Sequence, residues 1–143
     1  MNIISFEKEH IDEAKAIALV NYQEERQFVK DLPEISELPD LNELAGNGLG
    51  VAAFEQGKMV GFLCCYKPWD NAFGTAAKGT FSPIYAHGAV AEKKEMIYRK
   101  LYQAAAEKWV EAGATSHAIT LYAHDAAANE AFYIYGFGVR CID

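Results

Sequence analysis

The sequence predicts a single α/β (α+β) domain built on a mixed, mainly antiparallel sheet with helices on both faces. Three observations predict it. Two segments, Ile11 to about Gln27 and Glu92 to Gly113, carry apolar residues at helical spacing. Val51 to Glu55 and Met59 to Tyr66 flank Gln56-Gly57-Lys58, a short Gly-containing loop that joins two antiparallel strands. A half-buried strand from Ser116 to Tyr122 then separates the second long helix from a third, which runs from Asp125 to Gly136-Phe137. At 143 residues, 51% of them hydrophobic, the chain suits one domain with a real core and excludes wholesale disorder.

Taken in order, Asn2 to Phe6 reads as a first strand. Along the first helix Ile11, Ala14, Ile17, Ala18 and Val20 recur on one side. From Lys30 to Gly50 the texture turns to Pro33, Pro39, Asp40, Gly46, Gly48 and Gly50 with scattered leucines, an irregular connector with one or two short helical turns. After the hairpin, Lys67 to Gly79 is a loop and Thr80 to Ala89 is extended. Pro83 lies inside that extended stretch, and its missing N–H predicts an edge, a bulge or a local splay. Ile97, Leu101, Ala104, Ala105 and Trp109 form the apolar stripe of the second long helix, which Gly113 ends. A last strand is expected from Gly138 to Ile142, available to pair with a second copy or with a second domain if the chain is the amino-terminal part of a longer, tandem protein.

Composition narrows the function. A formal charge of -7 argues against nucleic acid, whose binding needs clustered Lys and Arg. The amino terminus turns charged early, and no later apolar run approaches the roughly 20 residues of a membrane span, so a soluble, cytoplasmic protein is expected. Cys64, Cys65 and Cys141 form an odd set, which fits a reducing compartment, and adjacent Cys64 and Cys65 should point to opposite faces of a strand. His10, His87, His117 and His124 lack metal-site spacing, so no metal is expected. Gly46-x-Gly48-x-Gly50 precedes a strand rather than a helix and reads as a turn, and no Gly-x-Ser-x-Gly elbow occurs.

The predicted order is strand, helix, irregular segment, hairpin, kinked strand, long helix, strand, helix and final strand. It resembles the GNAT N-acetyltransferase superfamily. The resemblance implies a GNAT-like acyl-CoA N-acyltransferase fold and transfer of an acetyl group from acetyl-CoA to the amine of a small molecule or peptide. The alternative is a degenerate, non-catalytic domain of the same fold with a structural or ligand-binding role. The family's fourth strand leads into a (Q/R)-x-x-G-x-(G/A) loop whose amides, with the start of the following helix, hold the CoA pyrophosphate. Here the corresponding residues are Gly88, Ala89 and Val90, followed by Lys93, Lys94, Glu95, Met96, Ile97 and Tyr98. Lys93 keeps the positive charge; Met96 and Tyr98 replace the two small residues.

The family's Asn-to-Tyr helix ending in Gly-Phe places its Asn on Asp125 and its Tyr, often the acid that protonates the departing thiolate, on Phe132. Phe132 cannot donate a proton, so Tyr133, with Tyr135 behind it, is the substitute acid. A primary amine with a pKa of about 10 needs a base. His87 and Tyr85 on the kinked strand are the first candidates, then Glu24 and Glu25 on the first helix. Each has a structural alternative: His87 as a histidine bonded to backbone, Met96 and Tyr98 as a helix start packed on the sheet, Asp125 as a helix cap. The cofactor is expected in a cleft between the Pro83 strand and the Ser116 strand.

Overall fold

A central hairpin buried on both faces organises the molecule, described here from a computed structural model over residues 1–139. Strands β1 (Asn2–Ser5), β2 (Val51–Glu55) and β3 (Lys58–Leu63) pair antiparallel, β1 against β2 and β2 against β3. The β2–β3 turn is shorter than the sequence suggests. Gln56 and Gly57 alone make it, both at positive φ (51° and 76°), and Lys58 already belongs to the strand. Val51, Ala53, Val60 and Leu63 face one half of the core; Ala52, Met59 and Phe62 face the other. Cys64 and Cys65 continue the alternation into opposite halves.

Helix α1 (Ile11–Arg26) covers the second of these faces, with a short helix α2 (Asn42–Ala45) in the connector beside it. Its buried stripe is Ala14, Ala18, Asn21, Tyr22 and Glu25, whereas Val20 is exposed. Apolar spacing alone puts Val20 on the inner side. The stripe follows the strict i, i+4, i+7 progression from Ala14, which leads to Asn21 and Glu25 instead.

Helices α3 (Lys94–Glu111) and α4 (Ala126–Ile134) cover the first face. Ile97, Tyr98, Leu101, Ala105 and Trp109 supply the buried side of α3. Asp125 caps α4 by accepting from the Ala128 N–H at 3.1 Å. At the other end the Phe137 N–H donates to the Phe132 carbonyl, and the two rings meet edge to face at 5.2 Å.

The expected single strand from Thr80 to Ala89 is two strands. β4 (Gly79–Ser82) pairs in parallel with β6 (Ser116–Ile119), from Gly79 opposite Ser116 to Ser82 opposite Ile119. Pro83 then opens a turn closed by the Ala86 N–H on the Pro83 carbonyl. β5 (His87–Ala89) follows and pairs antiparallel with β3, not with β6. The sheet order is therefore β1-β2-β3-β5, with β4-β6 as a separate parallel pair. A proline that cannot join a ladder produces the predicted splay at this point. The expected last strand, Gly138 to Ile142, reaches beyond the described residues, and Gly138 and Val139 carry no strand. Among the described residues no helix is long and apolar enough to cross a membrane.

Candidate functional site at the fork in the sheet

The splay leaves a fork. The β4–β6 pairing ends where the Thr120 N–H donates to the Ser82 carbonyl at 3.1 Å, after which β5 pairs with β3 and the Thr120–Tyr122 segment lies outside both sheets. The predicted cleft thus lies beyond the joined part of these strands, between β5 and the Thr120 segment, and it opens toward the amino ends of α3 and α4.

His87 fills the root of the fork. Its Nε2 lies 2.7 Å from the Thr120 carbonyl oxygen and its Nδ1 2.8 Å from the Tyr98 hydroxyl. A carbonyl only accepts, so Nε2 carries the proton, and the Nδ1 lone pair accepts from Tyr98. Both partners are satisfied by one neutral tautomer. Burial, with His87 only 4% exposed, pushes its pKa down to about 4 despite the bond to Thr120. In this arrangement both ring nitrogens are engaged and the ring is closed off from solvent. It is the backbone-bonded histidine of the alternative reading.

Asn21 closes the side of the fork. The Ala89 N–H donates to Asn21 Oδ1 at 3.0 Å, and Asn21 Nδ2 donates to the Ala89 carbonyl at 2.9 Å. One carboxamide from α1 thereby satisfies both backbone groups on the outer edge of β5, while the next amide, Val90 N–H, bonds to Val60 on β3. Gly88 makes the approach possible. A Cβ there would stand 3.1 Å from Asn21 Oδ1, 3.1 Å from Ile17 Cγ2 and 3.2 Å from Phe62 Cε1. Gly88 is therefore a packing residue that lets α1 reach the strand. On the opposite face Gly61 does the same for α3, where a Cβ would meet Ile97 Cγ2 at 2.7 Å.

At the mouth the charges pair with one another. Lys94 Nζ lies 3.1 Å from Asp125 Oδ2 and 3.5 Å from Glu24 Oε1, and Lys94 is buried. Glu25 accepts from the His124 N–H and faces its Nδ1 at 3.0 Å, with the Phe28 ring stacked on His124 at 5.0 Å. These groups line a half-open hollow of about 130 Å³ bounded by Asn21, Glu24, Lys94, Tyr122 and Asp125. Pockets for small organic ligands hold roughly 300–1,000 Å³. A wider, open depression of about 520 Å³, lined by Glu7, Lys8, Glu9, Ala45, Gly46 and Gly48, sits at the other end of α1 and touches none of the predicted site residues.

The start of α3 is different. Lys93 takes a left-handed conformation (φ 60°) as its cap residue, and no side chain caps the helix. The first-turn amides of Lys94, Glu95 and Met96 thus lack intrahelical acceptors. Met96 and Lys93 are exposed, and Glu95 is half-buried and paired with Arg99 at 3.7 Å. Ile97 and Tyr98 turn inward: Tyr98 packs against His87 and Phe132 at ring distances of 5.6 and 5.7 Å, and burial holds its pKa well above 10.

Of the predicted residues, the fold brings His87, Tyr98 and Phe132 into one packed row and Lys94 onto Asp125, while Tyr85 and Tyr133 find other surroundings. Tyr85 lies in the turn before β5, with its hydroxyl 3.0 Å from that of Tyr66, a bond that raises its pKa to about 12. Phe132 is 2% exposed in a cluster with Tyr98, Tyr102 and Phe137, and Tyr133 points to solvent at 46% exposure. Sequence reasoning misses Asn21 and Thr120; it names Lys94 and Asp125 but not their pairing. A signal for Asn21 is present, since a buried stripe through Ala14 and Ala18 continues through it. Among the described residues no three His, Cys, Asp or Glu side chains cluster as metal ligands.

No protein-family profile matches the sequence, and no curated protein sequence matches it. Solved structures do. The TTHA1254 protein of Thermus thermophilus superposes with a TM-score of 0.66 at 19% identity, over 100% of this chain and 93% of its own. Ribosomal-protein-alanine N-acetyltransferase from Brucella melitensis biovar Abortus 2308 gives 0.68 at 12% identity over 99% and 95%. An aminoglycoside acetyltransferase from an uncultured soil metagenomic sample gives 0.64 at 15% identity over 99% and 92%. These superpositions extend over nearly the whole of both chains, and they show that the chain has a GNAT-like acetyltransferase fold.

Proposed function

We propose that this chain is a non-catalytic domain of the acetyltransferase fold with a structural or ligand-binding role. The observation that carries the reading is His87, whose ring spans the fork from the Thr120 carbonyl to the Tyr98 hydroxyl. An acyl-CoA would need that space for its acyl-bearing arm. The fork residues do not fit the arm, because His87, Tyr98 and Asn21 already satisfy one another and the backbone there. Glu24, Glu25 and Asp125 put three carboxylates around the Lys94 ammonium at the mouth, an unfavourable field for a diphosphate. In this reading the domain is cytoplasmic, binds no nucleic acid, and works beside a second copy or a second domain.

A second reading, N-acetyltransferase acting from acetyl-CoA on the amine of a small molecule or peptide, draws support from one specific feature. The uncapped first turn of α3 beside Lys93 offers free amides and a helix dipole to a diphosphate. Calorimetric titration with acetyl-CoA separates the two. The expected result is no heat of binding at millimolar ligand and no thiol release with a panel of amines. Micromolar binding accompanied by amine-dependent thiol release overturns the first reading in favour of the second.

A further inference from the structure

The four-stranded sheet has two edges, and they are finished differently. At one end Asn21 satisfies both backbone groups of Ala89 on β5. At the other end lies β1, which pairs with β2 alone. The Phe6 N–H donates to the Gly50 carbonyl, and backbone groups alternate in direction along a strand, so Asn2 and Ile4 also turn theirs toward β2. Ile3 and Ser5 therefore point their N–H and C=O groups away from the sheet, and among the described residues nothing pairs with them there. Proteins commonly blunt such an edge with a lysine, a proline or a bulge inside the strand. Asn2-Ile3-Ile4-Ser5 has none of these and carries no charge. Ile3 packs into the core on the α3 side, while Ile4, on the opposite face and paired across to Ala52, is 47% exposed. The chain has a formal charge of -7, yet no Asp or Glu lies between Met1 and Phe6, and Lys108 of α3 donates to the Ser5 hydroxyl at 2.8 Å. Two acidic copies of the chain thus meet little repulsion along this edge.

We propose that β1 is an interface strand whose occupant is β1 of a second copy of this chain, added antiparallel about a two-fold axis through Ile4. Backbone direction sets the register. Placing Ile3 opposite Ser5 of the second copy uses every outward group of both strands, with two hydrogen bonds in each of the two symmetry-related Ile3–Ser5 pairs. The same register sets Ile4 directly opposite Ile4 of the second copy, in a non-hydrogen-bonded pair with Cα atoms about 4.5 Å apart, where two exposed apolar side chains cover each other. The contact is self-complementary, so it closes at two copies and joins their sheets into one. This inference goes beyond the functional reading above: β1 lies at the opposite end of the sheet from β5 and the fork, so pairing of copies and acetyl-CoA binding can each fail alone.

Sedimentation equilibrium from low micromolar to millimolar chain compares the wild type with Ile4→Lys. The wild type should pass from monomer to dimer as concentration rises. Ile4→Lys should weaken that dimer about tenfold or more, since it removes the apolar pair and sets like charges opposite each other. Mild oxidation of cysteine variants then reads the register. In a Cys141→Ser background, where Cys64 and Cys65 are buried, Ile4→Cys should form a disulfide-linked dimer. Ser5→Cys, at an equally exposed position, should not, because Ser5 of the second copy stands two residues out of register with it. A wild type that stays monomeric to millimolar concentration overturns the proposal, whether the edge then takes some other strand or none. So does a dimer indifferent to Ile4→Lys, or equal cross-linking of Ile4→Cys and Ser5→Cys. Should Ile4→Lys fail to fold by circular dichroism, the wild-type concentration series and the cross-linking pair support or overturn the proposal in the same way.

Discussion

Protonation of His87 should drive much of the acid unfolding of this protein. Its imidazole is neutral in the folded chain with a pKa of about 4, against 6.5 for an exposed histidine, because burial penalises the charged ring. The unfolded state therefore binds more protons between these values, and stability falls as pH drops from 6.5 toward 4. Integrating that difference gives a loss of about 2 kcal/mol between pH 7.5 and pH 5.0, and about 3 kcal/mol by pH 4. Asp125 opposes the shift and Lys94 reinforces it, so the ion pair at the mouth should be left intact when the ring is replaced. His87→Gln removes the titration while keeping a donor and an acceptor; with one of the two bonds lost, it should cost about 1–3 kcal/mol at pH 7.5. Urea unfolding followed by circular dichroism at pH 7.5 and 5.0 reads both numbers. The wild-type chain should lose about 2 kcal/mol more than the variant over that interval. Parallel losses in the two proteins would refute the assignment of a buried neutral imidazole.

Three further outcomes follow from the packing. Gly88→Ala places a methyl group 3.1 Å from Asn21 Oδ1 and Ile17 Cγ2, and should destabilise by about 1–3 kcal/mol in urea unfolding; an unchanged midpoint would mean that α1 sits farther from β5. Phe132→Tyr adds a hydroxyl inside the ring cluster formed with Tyr98, Tyr102 and Phe137, so Tm should fall and no acetyl transfer should appear, with a gain in thiol release from acetyl-CoA contradicting this. Cys64 and Cys65 are fully buried, and burial raises both thiols, Cys65 to about 11. Mass spectrometry after brief alkylation at pH 8 should find both unmodified in the native chain and modified in denaturant.

Elements with a strong local signal were legible in the chain itself. Apolar spacing along Ile97, Leu101, Ala105 and Trp109 marked α3, Gly57 marked the hairpin, Asp125 marked the cap of α4, and Pro83 marked the place where the sheet divides. Each depends on neighbours within a few residues, which is why one sequence suffices to find it. The site depended on distance in space. The partners of the His87 ring were decided by where Tyr98 and Thr120 lie, and whether Ala89 is free or bonded was decided by Asn21. Tyr98 occupies a position that the resemblance assigns to a small residue, and only the fold revealed that its ring closes on His87. Periodicity tells which face of an element is buried; which polar group that face then meets is set by how α1, α3 and β5 pack together, and a buried hydrogen-bonding group takes whatever partner that packing supplies.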